Sequence, residues 1–189
     1  MNCLCLNIRG CETWVEDSNN IDFEGAWGNV DFQVEFVNPV GRSGGLVCMW
    51  DPFIFVKNQV FSSKNFLAIS RQWSGVEGTT TLVNVYGPQS ISDKRKLWDE
   101  LLILKRSIDG IWIFMGDFNA VRYDHEHVNS RFCNTIAKDF NKFIARAGLQ
   151  EFNTGGRKFT YLREDGMKLS KLDCYLVCSS FVTQQPFTM

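Results

Sequence analysis

The apolar run Ile111-Trp112-Ile113-Phe114-Met115 ends abruptly in Gly116-Asp117-Phe118-Asn119-Ala120-Val121. This junction constrains the fold more than any other stretch. A run of this length, rich in β-branched and aromatic side chains, predicts a buried strand. Gly116 then loosens the backbone, and Asp117 and Asn119 emerge at the strand end. Residues two apart in an extended segment point the same way, so a carboxylate and an amide face one spot. That pair can hold a hydrated divalent cation, a water or a phosphoryl oxygen. Gly, Asp and Asn also form turns, and a surface turn is the competing reading.

The rest of the chain has to supply layers around such a strand. Its 189 residues, 44% of them apolar and 14% aromatic, predict one packed domain over 1–189 rather than a disordered chain. No apolar run approaches the about 18 residues of a membrane span. The segment Met1–Gly10 lacks a basic, signal-like start and reads as a first strand. Seven cysteines without a Cys-x-x-Cys pair predict buried thiols in a reducing compartment, not a zinc site. The net charge of −1 advertises no basic field. Charge is nonetheless uneven: Arg157, Lys158, Arg163, Lys168 and Lys171 crowd one segment around Phe159 and Tyr161. That mixture suits phosphates and bases, with a solvated hairpin as the alternative.

Strands are expected at Cys3–Ile8, Phe32–Val37, Gly45–Trp50, Phe66–Trp73, Thr79–Val85, Ile111–Met115 and Leu172–Val177. A helix capped by Ser92 is expected over Asp93–Ser107, with Leu97, Leu101, Leu104 and Ile108 at helical spacing. A second is expected over Thr135–Ala147, burying Ile136, Phe140, Phe143 and Ile144 and stopping at Gly148. Strands outnumber helices and alternate with them irregularly. The predicted class is therefore α/β, with sheets packed face to face and helices outside.

Four segments place polar residues at strand ends: Asn7-Ile8-Arg9-Gly10, Asn84-Val85-Tyr86-Gly87-Pro88, Gly116-Asp117-Phe118-Asn119 and Lys171-Leu172-Asp173-Cys174. Together they resemble the endonuclease/exonuclease/phosphatase superfamily, and more narrowly the endonuclease domain of plant LINE-type (non-LTR) retrotransposon polyproteins. Arg42-Ser43-Gly44-Gly45-Leu46 and Phe159-Thr160-Tyr161 also fit that subgroup. The resemblance implies two packed, mainly antiparallel sheets flanked by helices, the four-layer sandwich of apurinic endonucleases and DNases. It also implies Mg²⁺-assisted phosphodiester hydrolysis on DNA. Residue by residue, Asn7 would position the phosphate or metal ligands, and Tyr86 would bind a phosphate oxygen. Asp117 would orient and deprotonate the attacking water, with Asn119 holding the phosphate. Asp173 would orient the family's C-terminal histidine. Simpler alternatives stand beside these: Tyr86 ending a strand in solvent, Asp173 paired with Lys171, Asn7 as a plain turn amide.

Two departures from the pattern are visible. The family's metal-ligating glutamate should end a second strand, yet Glu12 follows Asn7 by only five residues. A parallel crossover needs about a dozen residues or more. Glu12 therefore reads as the motif's remnant beside a deletion of the first helix and second strand region, or as a solvated turn glutamate. The family's closing histidine segment has no counterpart either. His125 and His127, in Tyr123–His127, sit in the loop after Asn119, where Asp124 and Glu126 are expected to be solvated charges. With Glu12 and Asn7 as the metal ligands the resemblance assigns, the expectation is an incomplete endonuclease domain whose activity is lost. The alternatives are a non-catalytic nucleic-acid-binding remnant and a small-molecule phosphatase. The location expected is intracellular, with the nucleus as the family's habit. A monomer, with no membrane contact, is expected.

Overall fold

The computed structural model describes residues 3–8, 23–28, 31–39, 45–73, 77–152, 155, 158–163 and 167–184. Its larger sheet has six strands: β4 (Phe55–Ser63), β5 (Phe66–Trp73), β6 (Thr79–Tyr86), β7 (Ile111–Asp117), β9 (Leu149–Glu151) and β12 (Asp173–Cys178). Their order is β4-β5-β6-β7-β12-β9. Every pairing in it is antiparallel except β6 with β7. That parallel pair is joined by α2 (Ile91–Ser107), a crossover of the kind parallel neighbours require. A smaller antiparallel sheet, in the order β1-β3-β2, is built from β1 (Cys3–Ile8), β2 (Gln33–Val37) and β3 (Gly45–Trp50). The one-turn α1 (Phe23–Trp27) precedes β2. Three two-residue strands, β8 (His127–Val128), β10 (Tyr161–Leu162) and β11 (Leu169–Ser170), make a separate ribbon ordered β10-β11-β8. Two further helices are α3 (Asn134–Arg146), before β9, and α4 (Ser179–Gln184), after β12.

The layers follow from the side chains. β3 is buried at every position, and it packs with β1 against the middle of the large sheet. A hydrogen bond crosses between the sheets: the buried Asn84 side chain donates from Nδ2 to the Val47 carbonyl at 3.1 Å. The other face of the large sheet meets α2 and α3 through stacked rings. Trp98 of α2 lies 6.0 Å from Phe118, 5.1 Å from Phe140 and 5.0 Å from Phe143, and Phe143 meets Phe114 of β7 edge-on. Such pairs add to the burial of their large apolar area. The predicted sandwich of packed, mainly antiparallel sheets with helices outside is the architecture found.

Details differ from expectation: α1, α4 and β8 to β11 are additional, Ile136 of α3 is only partly buried, and two further differences have clear causes. Ser90, not Ser92, caps α2: its Oγ accepts the Asp93 backbone N–H at 3.1 Å, the spacing of an N-cap and its third helical residue. The long strand β4 was not expected. It is an outer strand with a bulge between Lys57 and Gln59 and mostly exposed side chains, so it carries little hydrophobic pattern to read. No described helix is long and apolar enough to cross a membrane.

Candidate functional site

Register assembles the site. Tyr86 ends β6 and stands beside Asp117, which ends β7. Asp117 stands opposite Asp173, which begins β12. Neighbours in register share a face of the sheet, so a phenol and two carboxylates form one row at one end of the large sheet. It is the face toward the smaller sheet, because Asn84, two residues before Tyr86, reaches across to Val47. Val47 pairs with Leu6, so the backbone of Asn7, next along β1, lies close to this end. The Asn7 side chain and all of Glu12 lie outside the described residues, as do Arg42, Ser43 and Gly44 of the glycine-rich turn.

The row is held by an interlocking set of backbone bonds. Gly87 N–H donates to the Asp117 carbonyl at 2.6 Å, and Phe118 N–H donates to the Leu172 carbonyl at 2.9 Å. The Thr160 hydroxyl accepts the N–H groups of Leu172 at 3.0 Å and Asp173 at 3.1 Å. Asn65 grips Tyr86 twice, donating from Nδ2 to its carbonyl at 2.8 Å and accepting its N–H at 2.9 Å. Gly116, at φ +118, is required here. A Cβ at that position would run into the Val85 carbonyl and the Asn84 side chain.

Asp117 is only 6% exposed, which rules out the surface-turn reading. Its Oδ1 accepts the Asn119 backbone N–H at 2.8 Å, an Asx turn that places Asn119 in the left-handed region at φ +48. Asn119 in turn donates from Nδ2 to the Gly87 carbonyl at 2.7 Å. Between the two polar residues Phe118 is fully buried and turns its ring into the aromatic cluster under α2 and α3. The carboxylate and amide are thus fixed on one side by a side chain anchored on the other.

Sequence reasoning missed Lys94. It is 2% exposed, and its Nζ donates to the Pro88 carbonyl. Burial pulls its ammonium down to about 8, with the charge of Asp117 acting in the opposite direction. The Lys94 ammonium is thus close enough to Asp117 for the two charges to act on one another. The signal was present: Lys94, Leu97, Trp98 and Leu101 follow the buried stripe of α2, and a lysine on that stripe is out of place unless it has a partner. Thr160 and Asn65 gave no comparable signal.

The loop charges behave differently from expectation. Glu126 is not a solvated charge but 4% exposed. Its carboxylate accepts the backbone N–H groups of Arg122 at 2.6 Å and Tyr123 at 3.2 Å and lies 3.8 Å from Lys171 Nζ. Lys171 also pairs with Glu151, which Arg122 meets at 2.9 Å. Lys171 is thereby withdrawn from the basic segment and engaged with Glu151 and Glu126. Beside this network, burial and then the Glu151 charge push the Cys174 thiol up to about 12. Asp124 is exposed as expected, and His127 Nδ1 lies 3.0 Å from the Ser130 hydroxyl. Among the described residues no group of three or more His, Cys, Asp or Glu could hold a metal ion.

No family model matches the sequence, and no curated protein is significantly similar to it. Solved structures are similar in fold. The catalytic domain of Xenopus laevis APE2 superposes with a TM-score of 0.68 at 13% identity, over 96% of this chain and 75% of that one. The 3′ phosphatase NExo from Neisseria, bound to a product DNA hairpin, gives 0.65 at 14% identity, over 96% and 78%. The endonuclease domain of TRAS1, a telomere-specific non-LTR retrotransposon, gives 0.57 at 15% identity, over 80% and 69%. At these identities the likeness carries the architecture alone, and that architecture is the endonuclease/exonuclease/phosphatase fold.

Proposed function

We propose that this chain is a DNA-cleaving phosphodiesterase domain of the LINE-type retrotransposon lineage whose activity is lost or reduced to a trace. The observation that carries the reading is the row of Tyr86, Asp117 and Asp173 on three neighbouring strands, with Asn119 tied to Asp117. The donor set suits Mg²⁺, which takes hard carboxylate oxygens, and Asp117 and Asp173 stand directly opposite in register. The resemblance assigns Glu12 and Asn7 to hold the ion. When bound, Mg²⁺ would supply neutralisation of the charge that builds on the phosphate.

The chain's own residues divide the remaining work. Asp117 orients a water and takes its proton. Asn119 and Tyr86 hold the phosphate, and Asp173 fixes the position of a phosphate-contacting group. The loss stems from the ligand set. Glu12 follows Asn7 by only five residues, too few for a crossover to a neighbouring parallel strand, and a lost metal contact costs several kcal/mol of transition-state stabilisation, roughly a hundredfold or more in rate.

Relaxation of supercoiled plasmid, with Mg²⁺ and with chelator, tests the reading beside the Asp117→Asn variant. The expected result is at most a trace of Mg²⁺-dependent nicking, absent in the variant. Mg²⁺ should also raise the melting temperature of the wild type more than that of the variant, a readout independent of turnover. Brisk nicking would overturn the loss of activity, and a folded protein indifferent to both Mg²⁺ and DNA would overturn the assignment. Salt-sensitive DNA binding without nicking would favour a second reading, a non-catalytic nucleic-acid module. Its supporting observation is the exposed Lys158 placed 5.4 Å over the Phe159 ring, with Arg163 of the same basic segment also exposed.

A further inference from the structure

We propose that Cys5 and Cys48 are an oxidation site, a pair of thiols placed to close into a cross-strand disulfide in the presence of a hydroperoxide. The two residues are direct partners in the antiparallel pairing of β1 with β3, and their sulfurs lie 2.9 Å apart. Directly opposed antiparallel residues have Cα atoms about 4.5 or 5.5 Å apart, and both values fall inside the range a disulfide spans. Closing the bond therefore asks for no movement of the strands. The same distance argues against a shared zinc ion, whose tetrahedral thiolates would stand about 3.8 Å apart. No described group of three or more potential ligands includes the pair.

Accessibility sets the order of events. Cys48 is fully buried, whereas Cys5 is partly exposed, so Cys5 is the sulfur an oxidant reaches. Its thiolate attacks the O–O bond of the hydroperoxide; an S–O bond forms, the O–O bond breaks, and the alcohol or water leaves. The Cys48 sulfur then attacks the Cys5 sulfenic acid. The S–S bond forms, the S–O bond breaks, and hydroxide departs with the Cys48 proton as water. Two thiols and one hydroperoxide thus give one disulfide, one alcohol (or water) and one further water. The bond would staple β1, which stands at the outer position of the smaller sheet and carries Asn7, to β3. It is independent of whether the site at Asp117 turns over.

The test uses the full chain, oxidised with hydrogen peroxide, alkylated under denaturing conditions and digested with trypsin. The expected product is the peptide Met1–Arg9 cross-linked to Ser43–Lys57, two hydrogens lighter than their sum and released by dithiothreitol. Because Cys3 shares the first peptide, the Cys3→Ser variant should give the same cross-link and Cys48→Ser none. The oxidised protein should melt about 5 °C or more above the reduced one, since the bond closes a long loop in the unfolded chain. Loss of the cross-link in Cys3→Ser, joining of Cys48 to any other cysteine, or complete alkylation of both thiols after peroxide would overturn the proposal.

Discussion

Two buried acids, Asp117 and Glu126, sit a few residues apart in the chain and serve opposite ends. Glu126 is enclosed by two backbone N–H groups and the Lys171 ammonium, with Arg122 and Glu151 completing the network. Asp117 instead ends its strand beside a second carboxylate and a phenol, with Lys94 as a neighbouring cation. Glu126 holds a loop, whereas Asp117 stands in a row of polar groups at a strand end, where the proposed function puts its chemistry. The sequence shows one half of this contrast, since Asp117 stands out at the end of an apolar strand, but it hides the other, since Glu126 reads there as a solvated loop charge.

Substitution should separate the two acids. Asp117→Asn should abolish any Mg²⁺-dependent cleavage, at least about a hundredfold in rate, while the urea midpoint moves little. Glu126→Ala should do the reverse and cost about 3 kcal/mol in urea unfolding, because buried donors lose their acceptor. A large stability loss from Asp117→Asn would mean that its carboxylate is structural after all.

Lys94 sharpens the comparison through pH. Its folded value lies near 8, below the ordinary lysine value of 10.5, so between those limits the unfolded chain binds more protons than the folded one. Stability from this group therefore rises as pH climbs from about 8 to about 10.5, and the penalty returns in full as pH falls below 8. Lys94→Met should remove that rise in urea midpoints measured across the window. A profile identical to wild type would show that Lys94 is not the group responsible.

The smallest effect is expected on the surface. Arg95 and Asp139 meet at 2.7 Å between α2 and α3, but the arginine is more than half exposed. Arg95→Ala should cost no more than about 0.5 kcal/mol, shrinking further in high salt.

Much of this was legible in the sequence because burial leaves a pattern. β3 and β7 are continuous apolar runs, and of the expected α3 stripe Phe140, Phe143 and Ile144 are buried while Ile136 is only partly so, with Ala137 buried in addition. The row of Tyr86, Asp117 and Asp173 was legible for a related reason: each polar residue interrupts an apolar strand at its end. What stayed hidden depends on partners distant in sequence. Thr160 looks like any loop threonine until β12 is seen to start on its hydroxyl. Asn65 matters only because β5 lies beside β6. Glu126 and Lys171 became an ion network only when the ribbon brought Lys171 back over the loop. Strands of two residues, such as β8, β10 and β11, are too short to carry any period.

Phe118 has a mechanical consequence. Its ring is wedged between Trp98 and Phe140, while its two chain neighbours carry the acid and the amide. The positional accuracy of those polar groups is thus borrowed from the stiffness of an aromatic stack on the far side of the sheet. Whatever loosens that stack, whether a smaller ring at Phe140 or a warmer solution, would blur the site without touching it. The helical layer is in that sense the calibration of the polar row, and its sequence is no freer to drift than the carboxylates themselves.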